Sequence, residues 1–235
     1  MANVEQLKMV FPDWLNTPDT NLFLLVNGNH STYFDAFFAL FTSMITWVPF
    51  YLLMLFLIFK KYKQYGFWVL LFIVVTILLS DQLSGVIKNL VQRFRPSHEP
   101  SLLGKVNIPT GEGGLYGFVS SHAANTFAFA LLMGKLTRNR NLFLMLFAWA
   151  LVTSYSRIYV GVHYPLDILC GALLGGLIGW SVYKLMMFVD LRYQRKKIYY
   201  AGEWNNKEIQ PALLSMLFIV VTLLMVSKLI GRYFM

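Results

Sequence analysis

Charge is scarce in this chain. Asp, Glu, Lys and Arg together make up 13% of its 235 residues, whereas an average soluble domain carries roughly a quarter. A water-soluble globule of this length would have too few charged side chains to dress its surface, and that class is set aside. Cysteine is scarcer still. The single Cys170 lies in an apolar run, which excludes an intramolecular disulfide. The opening stretch MANVEQLKMVFPDW has no basic segment followed by an apolar one, so no cleaved signal peptide is expected. No cluster of carboxylates is offered to Mg²⁺. The glycine-rich run GEGGLYG at 111–117 lacks the Gly-Lys-Ser/Thr that closes a P-loop, and reads instead as a flexible rim.

What is abundant is apolar: 57% of the residues are hydrophobic and 17% aromatic. A membrane-spanning helix needs about 20 mostly apolar residues. Six stretches fit, at 34–59, 67–90, 122–136, 142–159, 166–189 and 212–230; the third is short and starts polar. The expectation is an all-α polytopic membrane protein of one domain. It comprises an N-terminal amphipathic segment at the interface (1–32), built of short helices broken by Pro12 and Pro18, and a six-helix bundle (33–235).

The net charge of +9 is unevenly spread. Lys60, Lys61 and Lys63 follow the first span, and Lys135, Arg138 and Arg140 the third. Lys184, Arg192, Arg195, Lys196, Lys197 and Lys207 surround the loop after the fifth. These are 12 of the 20 basic residues, and a six-span chain puts them all on one side. The positive-inside rule makes that side cytoplasmic. The charge is therefore a topological signal, and nucleic acid is rejected as a partner. Gly171, Gly175 and Gly179 recur at four-residue spacing in the fifth span, a stripe that lets a neighbouring helix of the same chain approach closely.

The opposite, outer side collects the unusual polar residues. In SDQLSGVIKNLVQRFRP, Asp81, Ser84 and Lys88 share a helix face, and Arg95 follows two turns after Lys88. In GFVSSHAANT, Ser121 reads as the N-cap of the third span, with His122 in its first turn. In SRIYVGVHYPLD, Arg157 ends the fourth span, and His163 and Asp167 straddle the start of the fifth. Lys88, Arg95, Arg157 and the helix N-terminus at Ser120–His122 describe an anion site suited to phosphate. Asp167 can fix the tautomer of His163 and leave its other nitrogen to attack, while His122 can protonate the leaving oxygen. Asp81 is a possible supporting residue. Arg93 is assigned to lipid headgroups or loop rather than to the reacting phosphate, and His30 and His98 to loops.

These blocks resemble the signature of the PAP2 (type 2 phosphatidic acid phosphatase) superfamily, Lys-x6-Arg-Pro, Pro-Ser-Gly-His and Ser-Arg-x5-His-x3-Asp. KNLVQRFRP at 88–96 and SRIYVGVHYPLD at 156–167 match at every defining position. VSSH at 119–122 matches in part, with Val119 in place of proline and Ser121 in place of glycine. The resemblance implies a phosphohistidine formed at His163, His122 as general acid, and phosphate held by Lys88, Arg95, Ser120, Ser121 and Arg157. It also implies no metal and no cofactor. The implied substrate is a lipid phosphate or diphosphate of the undecaprenyl diphosphate, lipid A or phosphatidylglycerol phosphate type, with a slight leaning to the first. It would be processed at the outer face of the inner membrane. Two alternatives stand beside it: a phosphotransferase on the same scaffold, and a non-catalytic lipid-phosphate binder or transporter.

Overall fold

The computed structural model describes residues 11–193 and 196–233; residues 1–10 of the expected interfacial segment, and Arg195 of the basic loop, lie outside them. The described residues form helices and connecting loops, with a lone antiparallel bridge between Phe94 and Tyr116. In chain order the α-helices are α1 (Asp13–Asn27), α2 (Thr32–Thr42), α3 (Met44–Tyr62), α4 (Gly66–Val91), α5 (Ser121–Thr137), α6 (Arg140–Tyr159), α7 (Pro165–Tyr193), α8 (Lys197–Ala201) and α9 (Asn206–Tyr233). Four apolar helical stretches are long enough to cross a membrane: Met44–Val91, which holds α3 and α4, then Arg140–Tyr159, Pro165–Tyr193 and Asn206–Ile230.

The central helix is α5, packed on α7, α6 and α4. Its inner positions are small or flexible, among them Ala123, Ala124, Ala128 and Met133. The glycine stripe of α7 explains the tightest of these contacts. A Cβ at Gly171, Gly175 or Gly179 would run into the carbonyl oxygens of Ser120, Ala124 and Ala128. In lipid, where burial of apolar surface gives helices little reason to associate, such close backbone packing is what holds them together. The stripe works inside the chain, as its spacing indicates.

Two expectations are corrected. The stretch 34–59 is not one helix: Ser43 is extended (φ −70°, ψ 130°) and separates α2 from α3. The carbonyls freed at the break are not left bare, because Thr46 Oγ1 donates to Leu40 O at 2.7 Å and Trp47 Nε1 to Phe41 O at 2.7 Å. The described part of the N-terminal segment, in turn, holds one 15-residue helix that runs through Pro18 rather than breaking there. Asp19, Phe23 and Asn27, spaced by one turn, are its buried face, and it rests on α6 and α7. Asn27 Nδ2 donates to Tyr159 O at 2.7 Å and to Asn107 O at 2.8 Å, fastening α1 to the end of α6 and to the long 92–120 loop.

Candidate active site

The end of α4, the start of α5, the end of α6 and the start of α7 meet at one end of the bundle. The basic loops at 60–66 and 135–141 and the stretch around α8 lie at the other end, where Lys61, Lys63 and Lys197 line a separate cavity of about 430 Å³.

The loop from α6 to α7 carries His163. It is 1% exposed, and its Nδ1 lies 3.3 Å from Asp167 Oδ2, one turn along. Asp167 is wholly buried and has no idle oxygen. Oδ2 also accepts the Tyr164 N–H at 3.1 Å, and Oδ1 accepts from Arg93 Nη1 at 2.8 Å. Burial, followed by the charges of Arg95, Arg157 and Lys88, holds the His163 imidazole well below the ordinary histidine value. It is neutral at pH 7, with Nδ1 engaged and Nε2 left as the free nitrogen.

The long loop wraps this pair. The Phe94–Tyr116 bridge and two flanking bonds, Arg95 N–H to Leu115 O (3.1 Å) and Gly117 N–H to Arg93 O (2.8 Å), set Arg93 and Arg95 side by side. Arg95 Nε donates to Tyr116 O at 3.2 Å. A Cβ at Gly117 would stand 2.9 Å from Asp167 Oδ2 and 3.5 Å from His163 Nδ1, so no larger residue fits. Gly117 is thus a wall of the site, while residues 111–115 before it are exposed, as a rim would be.

Ser120, one residue earlier than expected, is the N-cap of α5. Its Oγ accepts the Ala123 N–H at 3.4 Å, and its own N–H donates to Asp167 O at 3.0 Å. That pins the start of α5 to the first turn of α7. Ser121 is the first helical residue. Its hydroxyl is gripped from α4 by Lys88 Nζ at 2.5 Å and by Ser84 Oγ at 2.6 Å. On α6, Arg157 Nη1 donates to Thr42 Oγ1 at 2.9 Å, at the break between α2 and α3, while its buried Nε has no partner among the described residues. His122 is exposed and lies within electrostatic reach of Arg157, His163, Arg95 and Lys88. All eight expected residues (Lys88, Arg95, Ser120, Ser121, His122, Arg157, His163 and Asp167) are therefore brought together.

Asp81 is exposed, with no hydrogen bond to its carboxylate among the described residues, and lies within electrostatic reach of Lys88. It shares with Ser121 and His122 the lining of a cavity of about 560 Å³. Otherwise that cavity is walled mainly by apolar side chains of α3 to α6, such as Met54, Ile73, Ile77, Phe129 and Trp149. His30 and His98 are loop residues, as expected, each beside a carboxylate (Asp35 and Glu112). Among the described residues no group of His, Cys, Asp or Glu is arranged to hold a metal ion.

Arg93 is the residue misassigned from sequence. It is 5% exposed and faces inward, between Asp167 and Asp19 Oδ2 at 2.7 Å, with Asn16 Oδ1 at 3.0 Å. Its guanidinium sits 4.0 Å from the centre of the Tyr164 ring. Nothing local marks Asp19, whose partners lie 74 and 147 residues away.

Known proteins resemble this chain in sequence and fold. The sequence profile of the PAP2 superfamily matches residues 68–191, which include all three motif blocks. The chain is 37% identical to the lipid A 4'-phosphatase of Bacteroides thetaiotaomicron over 77% of its own length and 83% of that protein's. It is 35% identical to the lipid A 4'-phosphatase of Porphyromonas gingivalis over 74% of this chain and 75% of the other. Its fold is similar to the crystal structure of Aquifex aeolicus LpxE, with a TM-score of 0.56 and 28% identity, covering 70% of this chain and 94% of that one. Motifs, helical frame and relatives agree: the chain belongs to the PAP2 superfamily.

Proposed function

We propose that this membrane lipid phosphatase removes a phosphate monoester from an acylated glycolipid of the lipid A type, at the extracytoplasmic face, by way of a phosphohistidine at His163. Phosphate enters among Lys88, Arg95 and Arg157 and meets the free N–H groups at the start of α5, which Ser120 caps. Nε2 of His163 attacks phosphorus. The N–P bond forms as the bond from phosphorus to the sugar oxygen breaks, and His122 delivers a proton to that oxygen. Asp167 keeps Nδ1 protonated and balances the positive imidazole as it becomes phosphorylated. Water, losing its proton to His122, then cleaves the N–P bond and frees phosphate. The described helices work as one domain.

The observation that carries the lipid substrate is the apolar cavity beside His122. The group that protonates the leaving oxygen sits where a hydrocarbon chain has room to follow the headgroup in from the bilayer. The glycolipid is supported by the two relatives matched over about three quarters of the chain, both lipid A 4'-phosphatases. They outweigh the slight leaning to undecaprenyl diphosphate, which rests on the breadth of the family alone. The side of the membrane rests on the basic loops at the far end of the bundle and the positive-inside rule, with α3 serving as the first of six spans.

Purified enzyme supplied with lipid A phosphates and with undecaprenyl diphosphate, phosphate release being measured, tests the substrate. Preference for the diphosphate would overturn the glycolipid. Single cysteines at Ser101 and Arg140, in a Cys170→Ala background, test the side with an impermeant thiol reagent on intact cells. Labelling at Arg140 and not at Ser101 would invert the topology.

A further inference from the structure

We infer that Arg93 is a positioning residue for the reaction, holding Asp167 against His163 by bridging it to Asp19, so that helix α1 is a working part of the active site. The inference rests on the roles proposed above for His163 and Asp167. It starts from a cost. Asp167 is fully buried, and an ionised carboxylate without water is expensive unless it is paired and hydrogen-bonded. Among the described residues, Arg93 is the one arginine or lysine in ion-pair contact with it. Its Nη1 takes Oδ1 and leaves Oδ2 to His163 Nδ1 and the Tyr164 N–H. A planar guanidinium on one oxygen sets the rotation of the carboxylate, and with it the direction offered to the imidazole.

The guanidinium is itself held on every side. Tyr164 lies under it at 4.0 Å and Phe11 at 5.0 Å, and its Nη2 is taken by Asp19 and Asn16, which lie three residues apart on one face of α1. Asp19 makes a second bond that fixes the geometry. Its Oδ1 accepts the Leu166 N–H at 2.8 Å, one of the N–H groups left open in the first turn of α7. A carboxylate on α1 thereby secures both the cation that orients Asp167 and the turn of helix from which Asp167 projects. The chain Asp19–Arg93–Asp167–His163 joins three stretches distant in sequence, and only its last two members stand at defining positions of the motif blocks.

A purely structural brace would also be buried and paired, so the test has to separate the two. The full-length protein in detergent is assayed on a lipid phosphate monoester, reading kcat and KM apart, for Arg93→Ala, Arg93→Lys, Asp19→Asn, Asp167→Asn and the Arg93→Ala/Asp167→Asn pair. If Arg93 acts through Asp167, Arg93→Ala lowers kcat about 100-fold with KM within about threefold, and Arg93→Lys and Asp19→Asn lower kcat about tenfold. In the Asp167→Asn background, the Arg93 substitution then costs at most about threefold more, because the group it positions is already disabled. Should Arg93→Ala not fold, the cycle is run with Arg93→Lys, for which the same non-additivity is expected. Additive losses, with Asp167→Asn itself strongly impaired, overturn this inference and leave the role of Asp167 standing. Normal turnover in Asp167→Asn overturns both.

Discussion

The two histidines of the site live in opposite surroundings. His163 is 1% exposed and stands at the end of a chain of four polar groups that leaves it little freedom to turn. His122 is exposed, makes no side-chain hydrogen bond among the described residues, and looks onto an apolar cavity. The difference suits two tasks. A nucleophile has to present one nitrogen, in one tautomer, along one line of attack, and freedom there costs rate. A general acid has to meet an oxygen that arrives with a lipid and departs with it, so its surroundings must stay open. Rigidity is concentrated on the atom proposed to form the covalent bond.

The largest effect belongs to the rigid side. His163→Ala should abolish turnover on every substrate, whatever the leaving group, because the N–P bond has no other donor; labelled substrate should mark His163 in the wild type alone. Wild-type-like turnover in this variant would sink the mechanism. A pH profile sharpens the same point. Burial and the neighbouring cations depress the His163 value, so its neutral, attacking form persists as pH falls through the usual histidine range. Turnover lost in that range, together with loss of nucleophile labelling, would contradict the assignment.

On the open side, His122→Ala should cost about 10²–10⁴-fold in kcat with a sugar-oxygen leaving group, the usual worth of general acid catalysis. With an acidic phenol, which leaves without a proton, the loss should shrink to a small fraction of that. Equal losses on both substrates would place His122 among the phosphate-binding groups rather than at the leaving oxygen.

The division also explains what could be read in the sequence. The convergence of His122 with Lys88, Arg95 and Arg157 was legible, because each residue falls within a few positions of a helix end and the blocks have fixed internal spacing. The long apolar stretches gave α4, α6, α7 and α9, and the glycine stripe gave the α5–α7 contact. The outer half of the rigid chain was not legible. Asp19 and Asn27 are buried polar residues that bond the protein's own interior, and in a one-dimensional reading they look like the wet face of an amphipathic helix. Arg93 sits two residues before Arg95 and resembles a lipid anchor until its partners, 74 residues off in each direction, are brought in. The break at Ser43 was hidden because the groups that compensate it, Thr46 and Trp47, are themselves compatible with an unbroken apolar helix.

A smaller effect is expected deeper in the cavity. Ile77→Trp narrows the space between α4 and α5 without touching a polar group of the site. If a lipid chain occupies that space, efficiency on the lipid should fall about tenfold, the worth of one to two buried methylenes at ~0.8 kcal/mol each. Efficiency on a short water-soluble phosphate ester should be unchanged. A parallel loss on both substrates would mean that the bundle itself had shifted. A loss on neither would mean that the chain lies elsewhere.

The smallest effect concerns the place where the sequence departs from its family. Ser121 stands where the PAP2 pattern has glycine, and its hydroxyl is shared between Lys88 and Ser84. That hydroxyl occupies a cation expected to reach phosphate, so it works as a tether on Lys88, and the free N–H at the first turn of α5 is what Ser121 itself offers to phosphate. Ser121→Gly removes the tether and keeps the N–H. Two small terms then oppose each other. Glycine in a helix costs up to about 1 kcal/mol of stability relative to alanine, while Lys88 loses one hydrogen bond worth about 0.5–1.5 kcal/mol net and becomes free to bond the substrate instead. The expected result is a slightly lower melting temperature, kcat within about threefold of the wild type, and vanadate inhibition equal or somewhat tighter. Vanadate is the informative probe, because it reports how well the cations close around a trigonal-bipyramidal centre. Loss of vanadate binding in a folded Ser121→Gly protein would show that the hydroxyl is itself a phosphate ligand and that Lys88 bonds Ser121 in order to orient it.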